Sequence, residues 1–144
     1  MMNLIKNKFI LYSLILSFLG FLLATYLTIL HYKNVTPPCT VTSGCETVLT
    51  SQFAQIGPVP LALLGSLFYL AVIVVCLLIM TNYKKLYLNA FYLLAVSGFI
   101  VSIVLILIQQ FLIHAFCQYC VLSEVISTGI VILAALKYKE SKKA

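Results

Sequence analysis

The stretch "CQYCVLSEVISTGIVILAAL", Cys117 to Leu136, has the length of a bilayer-crossing helix, roughly 20 residues. It opens on a C-x-x-C pair and carries one carboxyl, Glu124, among apolar neighbours. A soluble domain does not devote such a run to one element, so the composition of the whole chain becomes the deciding test. Of 144 residues, 63% are hydrophobic and only 8% are charged, too little polar surface for a water-soluble globule. Three more stretches have spanning length: Phe9–Leu30, Leu61–Met80 and Leu88–Ile108. The expected fold is an all-α membrane protein, a four-transmembrane-helix bundle forming one domain over 1–144. The first span is expected to be retained rather than cleaved as a signal peptide. Its apolar run is too long, and no small-x-small site follows it.

The net charge of +6 does not point to nucleic acid, because the lysines are not gathered on one soluble face. If the first span runs outward, Lys6, Lys8, Lys84, Lys85, Lys137, Lys139, Lys142 and Lys143 all fall on the inner side, and Lys33 alone lies outside. This partition obeys the positive-inside rule, and an odd number of spans would destroy it. Both termini are then expected in the cytoplasm. Cys39, Cys45 and the C-x-x-C share the outer face.

Small residues recur at helical spacing in the first span (Ser13, Ser17, Gly20, Ala24, Thr28), and Gly98 with Ser102 does the same in the third. Such stripes let helix backbones approach closely where lipid offers no hydrophobic drive. The longest polar segment is the outer loop, 31–60. Pro37-Pro38 imposes an extended approach to Cys39. "SGCE", Ser43 to Glu46, has the form of a capping box. A short half-helix is expected after it, with Cys45 near its start and Val48, Leu49, Phe53 and Ile56 forming an apolar side. Gly57-Pro58-Val59-Pro60 ends this half-helix, and Pro60 is placed to begin the second span.

Of the five cysteines, Cys76 lies mid-span among apolar neighbours and reads as a small hydrophobe. The other four form two pairs on one side of the membrane. Residues i and i+3 of a helix lie ~5–6 Å apart, so Cys117 and Cys120 can form a disulfide with little backbone change. Cys117 is expected in the first helical turn, where unpaired N–H groups favour a thiolate. Three readings of the quartet compete. Two structural disulfides would close very little chain entropy at Cys117–Cys120. A zinc site needs four converging sulfurs, and the C-x5-C spacing of Cys39 and Cys45 is unusual for one. A dithiol relay, one pair facing a soluble partner and the other a membrane oxidant, accounts for both the spacing and the depth of the second pair. No metal site is expected.

Cys117, Cys120 and Glu124 stand at i, i+3 and i+7 and share a helix face. An intramembrane carboxyl marks a functional site unless it reaches the interface. Here it is suited to hydrogen-bond, or exchange protons with, a bound carrier. His31 and His114 lie near the outer interface, where a merely amphipathic role suffices for either.

The C-x5-C pair, "VLTS" (Val48 to Ser51), "GPVPLALLG" (Gly57 to Gly65) and "FCQYC" (Phe116 to Cys120) recur in an order that resembles the vitamin K epoxide reductase family in its bacterial form. The likeness covers almost the whole chain. In the disulfide-bond formation protein B family, also four-helical and quinone-linked, the two cysteine pairs come in the opposite order. The resemblance implies a membrane thiol:quinone oxidoreductase supporting disulfide-bond formation. Cys39 would exchange with a periplasmic thioredoxin-fold partner, Cys45 would attack Cys117, and Cys120 would deliver electrons to ubiquinone or menaquinone. Ser51 matches the family's loop Ser/Thr near the active cysteines. Glu124 and Leu61 stand where mammalian members have a tyrosine and an asparagine touching the quinone, departures that favour quinone over epoxide reduction. A quinone-epoxide reductase of a vitamin K type cycle and a non-catalytic scaffold with structural disulfides are the alternatives. The fused thioredoxin-like domain of some members is absent, so the partner is expected in trans. The implied setting is a bacterial plasma membrane, with the active cysteines on the periplasmic side.

Overall fold

A computed structural model describes residues 8–35, 47, 52 and 55–143. Among these, helix α1 spans Lys8–Tyr32, α2 Leu61–Thr81, α3 Lys85–Leu107 and α4 Gln118–Lys143. The third helix runs directly into a π-helical segment, Ile108–Ile113. Four helices are therefore long and apolar enough to cross a membrane, the third counted through Ile113. Cys39, Cys45, Ser51 and the expected half-helix around them lie outside the described residues.

Helix α1 packs against α2 and α4, and α3 closes the ring against the same two helices. Thr25 meets Ser66 and Gly20 lies under Tyr69, so α1 and α2 run antiparallel. Tyr26 meets Tyr119 and Leu16 meets Gly129, so α1 and α4 do too. The result is an up-down-up-down bundle. Its buried stripes advance by alternating threes and fours: Ile10, Ser13, Ser17, Gly20, Ala24 and Leu27 on α1, and Leu88, Phe91, Ala95, Gly98 and Ser102 on α3. The outward positions are large and apolar, Leu86 and Leu93 being more than 70% exposed. Lipid is the solvent for that face.

Some polar side chains in the interior satisfy themselves locally, whereas the Ser17 and Ser127 hydroxyls have no hydrogen-bond partner among the described residues. Ser13 donates to the Phe9 carbonyl at 2.9 Å, and Thr28 to the Ala24 carbonyl at 2.8 Å, which leaves the ladder intact while hiding the hydroxyl. Gly20 does more than fill space. A methyl group there would come within 2.6 Å of the Tyr69 ring. That ring cannot swing aside freely, because its hydroxyl donates to the Ser123 carbonyl at 2.7 Å and lies 2.9 Å from the Ser123 hydroxyl. Gly20→Ala is expected to destabilise the bundle by ~1–3 kcal/mol, the usual range for overpacking, read as a lower unfolding midpoint in detergent. An unchanged midpoint would show that α1 and Tyr69 separate at little cost.

Beyond shifts of one to three residues at other helix ends, the described structure departs from the expected boundaries in four places. α3 with its π-helical extension continues to Ile113 rather than ending at Ile108, because Gln109 turns inward instead of marking the membrane surface. α4 continues past Leu136 to Lys143, through lysines and a glutamate that favour helix in water. Gly57-Pro58 forms the tip of a small hairpin, in which β1 (Gln55–Ile56) pairs antiparallel with β2 (Val59–Pro60). Gly57 has φ +60° and Pro58 is held at negative φ by its ring, the pattern of a two-residue hairpin turn with glycine first. Pro60 is consequently extended, at φ −68° and ψ 142°, and precedes α2 rather than beginning it.

Lys8, Lys84, Lys85, Lys137, Lys139, Lys142 and Lys143 gather at one end of the bundle, and Lys33 lies at the other. Lys137 is itself buried on the inward stripe of α4. Its ammonium lies 5.8 Å above the Tyr83 ring and 3.8 Å from Glu140.

Candidate active site

At the end opposite the lysine cluster, the chain leaves the π-helical segment through His114, whose left-handed backbone (φ 58°) reverses direction. The N–H groups of His114 and Ala115 both point to the Gln109 carbonyl, closing the turn. Cys117 follows, fully buried and packed against Ile113, Ala115, Tyr119 and Cys120. It stands one residue before α4 rather than inside the first turn, and its carbonyl accepts the first helical bond, from the Val121 N–H at 2.9 Å. The electrostatic expectation survives this shift, since the sulfur still faces the free N–H groups of the helix start.

Cys117 and Cys120 are free thiols among the described residues. The Cys120 thiol donates to the Cys117 sulfur, and the backbone N–H groups of Cys120 and Tyr119 assist. Together they outweigh burial and lower the Cys117 thiol from its ordinary 9.0 to about 7. A lowered pKa means the thiolate forms as pH rises through about 7 instead of 9.0. The thiolate absorbance lost in Cys117→Ser is therefore expected to titrate near pH 7, and Cys120→Ser should move that midpoint upward. A wild-type midpoint at the ordinary value would contradict this geometry.

One residue of the site was not anticipated from sequence. Gln109 is 3% exposed and bridges two groups that the sequence separates. Its Oε1 accepts the Cys117 backbone N–H at 3.1 Å, and its Nε2 donates to Glu124 Oε1 at 3.1 Å. The signal was present: Gln109 lies one heptad beyond Ser102 on the inward stripe of α3. Glu124 is 4% exposed, enclosed by the bundle rather than open at its surface. Its Oε2 has no hydrogen-bond partner among the described residues. Buried orphan acceptors are uncommon in native proteins and call for an explanation.

Cys117, Cys120 and Glu124 thus come together as their spacing implied. Leu61 begins α2 at the same end of the bundle. His31 sits in the last turn of α1, its ring edge-on to Tyr32, and His114 serves the turn. Val35 and Gln55, which flank the segment holding Cys39, Cys45 and Ser51, belong to this end too.

Four lipid-facing helices with a C-x-x-C packed at one end of their bundle define an integral membrane protein with a thiol site at that end. The chain matches the model of the Vitamin K epoxide reductase family over residues 11–135, and it belongs to that family. Membership makes it a membrane oxidoreductase, of the quinone and thiol kind in general, and members of the family use quinones. No curated protein sequence matches the chain.

Proposed function

We propose that the protein carries electrons from a periplasmic thioredoxin-fold dithiol to ubiquinone or menaquinone, and so sustains disulfide-bond formation. In this reading Cys39 exchanges with the partner, which arrives in trans, and Cys45 passes the electrons to Cys117. The Cys117/Cys120 pair then gives them to the quinone. Each sulfur step is attack by a thiolate on a disulfide through a mixed disulfide, so direction follows the difference in potential. The observation that carries the reading is the fully buried Cys117 thiol packed against Cys120 and tied through Gln109 to a carboxyl with an unused oxygen. Membership of a quinone-using family supports the acceptor. Cys39 follows Val35 by four residues, a reach of at most about 14 Å, which supports exchange at this end.

The quinone supplies a two-electron, two-proton sink when bound. Cys120, Glu124 and Leu61 are the residues we assign to its ring, and Ser51 to the support of the loop cysteines. The lysine-rich end then faces the cytoplasm with both termini, the thiol end faces the periplasm, and residues 1–144 act as one transmembrane domain in a bacterial plasma membrane. Purified protein, given a reduced thioredoxin-fold donor, is expected to reduce quinone stoichiometrically, and Cys117→Ser or Cys120→Ser should abolish it. Donor-driven reduction that survives both substitutions would refute the assignment.

A further inference from the structure

We infer that Gln109 is a positioning residue that locks the thiol pair and the acid into one unit and leaves Glu124 Oε2 as the corner that exchanges a proton with the electron acceptor. The inference rests on the proposed quinone reduction, but its structural half stands on two hydrogen bonds. A side-chain amide has a donor end and an acceptor end. The Cys117 N–H can only donate, so it fixes the Gln109 oxygen toward itself at 3.1 Å. The amide nitrogen must then face Glu124, where it reaches Oε1 at 3.1 Å. That contact occupies one carboxyl oxygen and turns the other away from the amide. Two polar neighbours are committed elsewhere, and the buried Ser127 hydroxyl makes no hydrogen bond to the carboxyl. Thr128 donates to the Glu124 backbone carbonyl at 2.9 Å, and Tyr69 is held by Ser123. Oε2 is left without a partner among the described residues.

The π-helical segment and the left-handed turn at His114 bring the amide to a position bridging the backbone of one cysteine and a carboxyl two turns further along α4. The helix sets the spacing of the sulfur pair and Glu124, and the one side chain that grips both sets the orientation of the carboxyl. In turnover the two thiols lose two protons and two electrons as their S–H bonds break and the S–S bond forms. The acceptor's two oxygens gain both protons and both electrons. Oε2 gives one of those protons and takes its replacement from a thiol of the pair, so Glu124 ends each cycle unchanged.

The test uses the full-length protein in detergent or vesicles, with two substitutions. Gln109→Leu removes both contacts, whereas Gln109→Glu keeps an acceptor for the Cys117 N–H and loses the amide donor to Glu124. In infrared difference spectra without quinone, the carboxyl band identified by its loss in Glu124→Gln is expected to shift in both variants. The kcat for quinone reduction is expected to fall roughly 10- to 100-fold in both, short of the ~10²–10⁴ for losing a general acid altogether. An unmoved carboxyl band, or an unchanged kcat in a folded Gln109→Glu protein, overturns the positioning role. If the wild-type protein reduces no quinone while the band still shifts, the amide contact holds but the quinone reading fails, and the proton step fails with it.

Discussion

Replacing Cys120 by alanine is expected to stop quinone-linked turnover and to leave a Cys45–Cys117 disulfide that survives non-reducing analysis. In the proposed relay Cys45 attacks Cys117 of the Cys117–Cys120 disulfide, Cys120 leaves as a thiolate, and Cys39 then closes on Cys45. Without Cys120 the pair cannot form its own disulfide, and a Cys117 thiolate that attacks the Cys39–Cys45 disulfide stays bound to Cys45 with no thiol of its own pair to displace it. Removing a covalent participant typically costs several orders of magnitude, and a loss of more than about 1,000-fold is expected here. The trapped species is the more informative readout, because misfolding also abolishes turnover but does not create one specific disulfide. The Cys45→Ala, Cys120→Ala double variant should lack the species. If Cys120→Ala instead accumulates only free thiols, the loop pair does not reach Cys117.

The second large effect concerns Glu124. Glu124→Leu is expected to lower kcat for quinone reduction by ~10²–10⁴, the range for a positioned proton donor. Glu124→Gln can accept from Gln109 but has no acidic proton, so it should lie close to the leucine variant in rate. Stability separates the two. Leucine leaves the Gln109 amide nitrogen unpaired in a buried site, a penalty of about 1–3 kcal/mol, whereas glutamine can retain that bond. A glutamine variant with wild-type turnover would reduce the carboxyl to a structural acceptor.

The number of helices was readable from hydropathy because lipid imposes a length and excludes polar backbone from every other arrangement. Their inward faces were readable from small residues, and Ser13, Ser17, Gly20, Ala24 and Thr28 are all buried. The ends were harder. "IQQFLI", Ile108 to Ile113, contains two glutamines that resemble a membrane surface by composition, and only the partner of Gln109 shows otherwise. That partner, Glu124, is 15 positions away in sequence, across a turn with no periodic signal. The same limit applies to Gly57-Pro58, where stop signals alone do not distinguish the end of a helix from the tip of a hairpin. The thiol pair and the carboxyl were legible because C-x-x-C and an intramembrane acid are each improbable without a use. The amide joining them resembled an ordinary polar break in an apolar run.

The most direct test of the central claim follows the redox state of the Cys117–Cys120 pair in the purified protein by mass-tagging after acid quench. Added quinone alone should convert the free thiols to an intramolecular disulfide, and a reduced thioredoxin-fold donor should return them to thiols when Cys39 and Cys45 are present. A pair that keeps one state through both additions would contradict the relay and leave its cysteines as structural features of the bundle.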